Sequence, residues 1–318
     1  MSLSSSTPTG AEPRLSGRKR ASAHGLAIFA MALIATTFPI GDVIAGTGDT
    51  AVLMFIRFAM ASVIFAPIVA WRHGLTWPGW RAIARYSTVS GAAAIFFWTM
   101  LESLKTTDSL NSSAISTTIP VFTAIFAALL VRERMGRMRL AALGLGLFGA
   151  LWIIFRGDPE RLIGLQLNYG DVLFFPGCIA MGLYAGLIRK MHRGEPVMVM
   201  SFWFTVLTAF WLLVIANIKI ASIDWVMVDG SVLGSLAWLA IGPSVITFFL
   251  VQQTTLKIGA TRVQAYTYLI PAIVLLMDWA IGRGLPTLMT LPGIAIVVGA
   301  SLLIQRGSIY EGSRTFAR

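Results

Sequence analysis

Ten apolar runs punctuate this chain, at residues 24–42, 50–71, 86–104, 109–131, 138–155, 169–189, 196–216, 231–256, 263–282 and 288–305. Each is long enough to cross or nearly cross a bilayer, because a helix needs roughly 20 apolar residues to span about 30 Å of hydrocarbon. Of the 318 residues, 56% are hydrophobic and only 12% are charged. A soluble domain carries about 25% charged residues and could not hide so much apolar surface. Lipid must therefore serve as the solvent. In lipid every backbone polar group has to be satisfied within its own segment, so the runs are expected to be helices. The reading is an all-α integral membrane protein with ten transmembrane helices.

The net charge of +11 does not point to nucleic acid, because the basic residues lie in short clusters between the apolar runs. With a cytoplasmic N-terminus, the inside segments hold Arg18-Lys19-Arg20, Arg81 and Arg85, Arg132 to Arg139, Arg189 to Arg193, and Lys257 with Arg262. The outside segments hold only Lys105, Arg156, Arg161, Lys219 and Arg283. This bias places both termini in the cytoplasm. The first run follows a basic cluster as a secretory signal would, but it lacks an Ala-x-Ala site and is read as the first span.

The chain also repeats itself. Leu104-Lys105 and Leu256-Lys257, Pro120 and Pro271, Gly149 and Gly299, and Arg156-Gly157 and Arg306-Gly307 recur at offsets of 150 to 152 residues. Five helices per copy is an odd number, so the second copy enters the membrane inverted. The expected organisation is a tail over 1–23, a first repeat over 24–157, a second over 168–307 and a tail over 308–318. Inverted repeats are a transporter signature, with the substrate site near the midplane at their interface.

The residues Leu104-Lys105-Thr106-Thr107, the polar run Asn111 to Thr118, Pro120 and Glu133-Arg134 resemble the fourth-helix region of the EamA family of the drug/metabolite transporter superfamily. Arg57-Phe58, Gly170-Asp171 and Pro271 match as well, and the resemblance extends over residues 24 to 307. It implies a ten-helix fold with a central cavity lined mainly by helices 1, 3, 4, 6, 8 and 9. Members move amino acids, other metabolites or drugs, often outward. The family often has a second glutamate where this chain has Gly284, which removes any symmetric role for Glu133; a structural ion pair at the cytoplasmic edge is its expected role.

Polar groups within the bilayer are costly and so point to function. Ser113, Ser116, Pro120 and Thr123 share one face of the fourth helix, and Gln264, Thr267, Pro271 and Asp278 one face of the ninth. Both stripes are expected to line the cavity, the alternative being hydroxyl contacts that glue packed helices. Thr37, Trp98, Glu102, Tyr184 and Tyr266 complete the candidate substrate-binding set. Trp98 fits either a cavity wall or a lipid-facing anchor. Asp278 could take up a coupling proton or a cationic group; the alternatives are an interfacial residue near the outer face or a partner for Arg57, for which a structural ion pair or a carbonyl contact is expected. Pro39, Pro120 and Pro271 are hinge candidates.

Other chemistries lack their residues. Cys178 is the single cysteine, and His24, His73 and His192 do not cluster, so no metal site, disulfide or catalytic triad is expected. Gly144-Leu145-Gly146-Leu147-Phe148-Gly149 fits G-x-G-x-x-G, yet it lies inside an apolar run with no preceding strand. Close helix packing explains it better, as it does Gly182 and Gly186. No P-loop offers a site for ATP, and no cofactor is expected. The function expected is secondary transport, as an exporter of small metabolites such as amino acids, by alternating access in the inner cell membrane. The partners are the substrate and the bilayer, and an internal repeat makes a monomer sufficient. A membrane-embedded enzyme or a sensor for a small lipophilic ligand is the alternative.

Overall fold

The computed structural model describes residues 17–131, 136–160, 167–217, 229–284 and 287–314. Glu133 and Arg134 lie outside them. Among the described residues all regular structure is helical, as backbone satisfaction in hydrocarbon requires. The helices form ten rods. α1 joins Gly17–Ala35 to Thr37–Ile44, α2 is Thr50–His73 and α3 is Trp80–Ser103. α4 joins Ser109–Ser116 to Ile119–Val131, and α5 is Arg137–Ile154. α6 is Tyr169–Met191 and α7 is Val197–Ala216. α8 runs through Gly230–Ala240, Ile241–Ile246 and Thr247–Ile258, and α9 through Ala260–Gln264, Ala265–Leu269 and Ile270–Ala280. α10 is Leu291–Arg314.

Nine of the rods hold a stretch long and apolar enough to cross a membrane, and α3 does not. α3 has the same 24-residue length as α2 but includes Arg81, Arg85, Thr88, Ser90, Thr99 and Glu102. Its polarity is absorbed by neighbouring helices: α3 packs against α6 and α7, and Ser90 Oγ donates to the Phe204 carbonyl at 3.1 Å.

Several boundaries differ from the sequence reading. α1 begins at Gly17, and α10 continues as helix to Arg314. Only Gly259 separates α8 from α9, at a φ of 94° that suits glycine. Arg262, expected in a loop, therefore sits in the first turn of α9 and is buried.

Four rods are broken rather than bent, each where a proline lacks the N–H that a carbonyl four residues earlier would receive. Pro39 leaves the Ala35 carbonyl without its partner, and α1 breaks at Thr36. Pro120 does the same to Ser116, and α4 breaks at Thr117–Thr118. Pro243 widens α8 into a π-helical turn over Ile241–Ile246, where the freed Leu239 carbonyl accepts from Ser244 Oγ at 2.9 Å. Before Pro271, α9 tightens to a 3₁₀ turn, and the Thr267 carbonyl accepts from the Ile270 N–H instead. Local π and 3₁₀ segments of this kind commonly mark functional positions.

Packing holds the breaks together in the interior. α2 lies against α7, α5 against α10, and α4 against both α6 and α9. α3 lies against α6 and α7, while α8 lies against α1 and α2. Small residues permit the close contacts. A Cβ on Gly149 would meet the Gly293 carbonyl oxygen of α10 at 3.0 Å, and one on Gly182 would meet the Phe122 backbone at 2.9 Å.

Candidate functional site

The four interrupted helices, with α3 and α6, enclose a cavity of about 40 Å³. Its wall is chiefly apolar: Met31, Phe96, Phe97, Met100, Ile119 and Phe248 are among its members. Pro243 borders it directly. The polar groups that reach it are Thr37, Ser116, Thr247, Gln264 and Thr267. A volume near 40 Å³ holds about one water, whereas small-molecule sites run to about 300–1,000 Å³.

The two expected stripes contribute unequally. From α9 both Gln264 and Thr267 line the cavity, and Thr267 Oγ1 donates to Gln264 Oε1 at 3.3 Å. From α4 only Ser116 does so, while Ser113 turns to its own backbone and donates to the Leu110 carbonyl at 2.7 Å. Thr37 lines the cavity as expected, one residue after the α1 break.

Four other sequence candidates stand away from it. Trp98 is not part of the lining and packs against Ala51, Val52 and Ala216 as well as the main core, and the aromatic wall from α3 is Phe96 and Phe97. Glu102 pairs with Lys105 at 2.8 Å within one turn. Tyr184 is fully buried behind the wall, stacked on Phe248, and its hydroxyl accepts from Gln252 Nε2 at 3.2 Å. Gln252 Oε1 in turn accepts from Ser201 Oγ at 2.7 Å, which ties α6, α7 and α8 together. Tyr266 bonds through its hydroxyl to His24 Nδ1 at 2.7 Å.

Arg57 and Asp278 do not pair with each other. Arg57 is wholly buried; its Nε donates to Ser244 Oγ at 3.0 Å in the π-helical turn, and its guanidinium lies 4.8 Å from the centre of the Phe97 ring. Asp278 accepts from Ser109 Oγ at 2.7 Å and pairs with Arg283 at 3.3 Å.

Asp278 belongs to a second, polar cavity of about 420 Å³. This vestibule lies where α1, α4, α5 and α9 end, beside the approach to α10. Arg283 bridges Asp278 of α9 to Asp42 of α1 at 2.6 Å, and Arg156 reaches Asp108 at 3.0 Å. Gly284 lies on its lining at a φ of 87°.

The sequence reading did not single out Pro243, Thr247 or Phe248. Pro243 was detectable as a proline inside the apolar run 231–256. Phe248 was one of many phenylalanines, and nothing in its spacing distinguishes it.

Fold and cavity together define a multi-pass membrane protein with a closed pocket inside its bundle. The family model of the EamA-like transporter family matches residues 21–155 and again 168–306, and the chain belongs to that family. It is thus a transporter of the cell membrane rather than an enzyme. An uncharacterized transporter of Bacillus subtilis is 23% identical over 245 residues, covering 76% of this chain and 80% of its own. A protein named as the S-adenosylmethionine uptake transporter of Rickettsia felis is 24% identical over 268 residues, covering 83% and 84%. A solved crystal structure superposes with a TM-score of 0.70 over 90% of this chain and 97% of the other; at 19% identity it is similar in fold.

Proposed function

We propose that the chain is a secondary transporter with ten spans and cytoplasmic termini, whose inverted halves, 24–157 and 168–307, rock about the closed cavity. The observation that carries this reading is the junction of four proline-interrupted helices around one buried pocket. Interrupted helices supply backbone and hydroxyl groups at membrane depth without exposing them to lipid. The helix packing supports the two-fold repetition, because adding five to each helix number maps the contacts onto one another; with five helices per copy, that repetition implies inversion. The α3–α6 contact corresponds to α8–α1, and α3–α7 to α8–α2, while α2–α7, α4–α9 and α5–α10 map onto themselves.

The cargo is a small metabolite such as an amino acid. A wall that is mostly aromatic and aliphatic, with a few hydroxyl groups and one amide, fits a compact amphipathic solute. The Rickettsia felis relative is named for a sulfonium compound that itself contains an α-amino-acid end. Export is the direction proposed, on the family resemblance; that relative is named for uptake. Asp278 is proposed as the coupling residue, since it sits between Ser109 and Arg283 in a vestibule lined by polar and charged groups.

The test is counterflow of radiolabelled amino acids into liposomes containing the purified protein, without ATP. Accumulation of at least one of them above protein-free liposomes is expected, with flux from both faces compared to give the direction. Absence of flux for every amino acid, with or without a proton gradient, overturns the amino-acid reading. Unchanged pH dependence of transport in Asp278→Asn removes the coupling role.

A further inference from the structure

Arg57 is the one charged side chain of α2 set inside the bundle, seven residues beyond its start at Thr50, or about 10 Å along the helix axis. It is 0% exposed. Its hydrogen bonds run to Ser244 Oγ at 3.0 Å through Nε and, weakly, to Met54 Sδ at 3.9 Å through Nη1. Nη2 has no hydrogen-bond partner at all. Among the described residues no carboxylate pairs with this side chain. The remaining contacts are the faces of Phe97 at 4.8 Å and Phe58 at 5.3 Å.

A guanidinium keeps its proton in proteins and offers five donors in a planar fork suited to a carboxylate. Held in a protein interior without a counter-ion, it costs several kcal/mol that no contact here returns in full. A purely structural tie to Ser244 would need only a neutral donor. The position also abuts the cavity: the ring centre of Phe97, part of its wall, lies 4.8 Å from the guanidinium, and Pro243 of the same wall precedes Ser244, to which Arg57 donates. A turn of the Phe97 ring and an adjustment of the π-helical segment would open the fork to the cavity.

We propose that Arg57 is the anion acceptor of the transport site, and that the cargo therefore bears a carboxylate. The carboxylate takes the free Nη2 donor and an adjacent N–H as a bidentate pair once Phe97 swings aside. The apolar body of the cargo lies along Met31, Phe96 and Phe248, and Gln264 with Thr267 faces its other polar end. This rests on the transport reading above and sharpens it, restricting the substrate class to amphipathic carboxylates, zwitterionic amino acids included.

The experiment is thermal-shift titration and counterflow of the purified full chain with matched probe pairs: L-leucine against L-leucinamide, L-phenylalanine against L-phenylalaninamide, and butyrate against butyramide. In the wild type, at least one carboxylate probe is expected to bind and move while its amide does not. Arg57→Gln keeps a donor for Ser244 but no charge. It is expected to weaken that carboxylate about 10- to 100-fold, the range for losing a charged hydrogen bond. Arg57→Lys is expected to restore part of the carboxylate preference. Should Arg57→Gln fail to fold, as judged by its melting transition and gel filtration, Arg57→Lys alone carries the test through its carboxylate-to-amide ratio. Amides that move as well as acids, or a ratio unchanged in both variants, overturn the role of Arg57 while leaving transport intact. Failure of every acid and amide to bind or move overturns the proposed transport of such solutes, and the anion site with it.

Discussion

The breaks in α4 and α9 occupy equivalent places in the two halves and are built differently. In α4 the residues at the break satisfy themselves. Thr117 and Thr118 each bond through both backbone N–H and side-chain hydroxyl to the carbonyl three residues back, and Ser116 Oγ donates to Ser113 at 2.6 Å. In α9 a 3₁₀ turn absorbs the break, so Gln264 and Thr267 need not serve the backbone and face the cavity together. Equivalent spacing in sequence thus yields a self-satisfied break in one half and a polar face on the cavity in the other. The difference turns on Gln264: short hydroxyl side chains compete for their own helix carbonyls, whereas the Gln side chain reaches beyond them and gives the Thr267 hydroxyl an acceptor other than the backbone.

The sharpest way to break this comparison is Gln264→Leu. If α9 supplies the polar end of the site, counterflow is expected to fall about 10-fold or more, because a substrate group is left without its partner. Melting should change little; equal flux would remove the asymmetry. Next is Gly146→Ala. Its Cβ would overlap the Tyr268 ring in the 3₁₀ segment of α9. Overpacking of this kind costs about 1–3 kcal/mol. A lowered melting temperature and slowed transport are expected, against no change for Gly144→Ala, where nothing lies within 4 Å. Thr118→Val removes one hydroxyl bond at the α4 break and should cost about 0.6–1 kcal/mol in melting with little effect on flux.

Ser116→Ala is expected to reduce transport less than about threefold, since its hydroxyl already serves Ser113 and forfeits only a weak bond. The smallest effect lies far from both breaks. Burial works against ionisation of Glu195 in the loop after α6, but the Arg193 backbone N–H and the Arg85 guanidinium hold its pKa down to about 2. The folded state thus favours the charged form. Its contribution is present above the ordinary value near 4.5 and is lost as pH falls from there toward 2. Melting of the wild type and Glu195→Gln should differ at pH 6, approach each other as the pH falls below 4.5 and converge only at about pH 2, with transport at neutral pH unaffected.

Much of this was readable from residues. Apolar runs of membrane length announce helices, because hydrocarbon leaves the backbone no other partner. Pro39, Pro120 and Pro271 mark three of the breaks, Gln264, Thr267 and Ser116 lie on the cavity from the two stripes that spacing defines, and Thr37 lies on it beside the break before Pro39. Ser113 shares the face of Ser116 on a helical wheel, yet its hydroxyl closes on Leu110. Periodicity assigns a face, not the acceptor a hydroxyl chooses. Trp98 and Glu102 failed to reach the cavity because the rotation of α3 is set by α6 and α7, which no pattern within α3 specifies.

Sequence alone determined the solvent of this protein, the helical form of its segments and the two-fold repetition of its pattern, since each follows from local composition and from the reach of one helix. Tertiary structure decided which proline-broken helices meet around one cavity, that Arg57 stands beside it with a donor unmet, and that Asp278 turns to Arg283 rather than to Arg57. Those outcomes depend on how rods from distant parts of the chain rotate against one another, and packing between helices, not the spacing within one, sets that rotation.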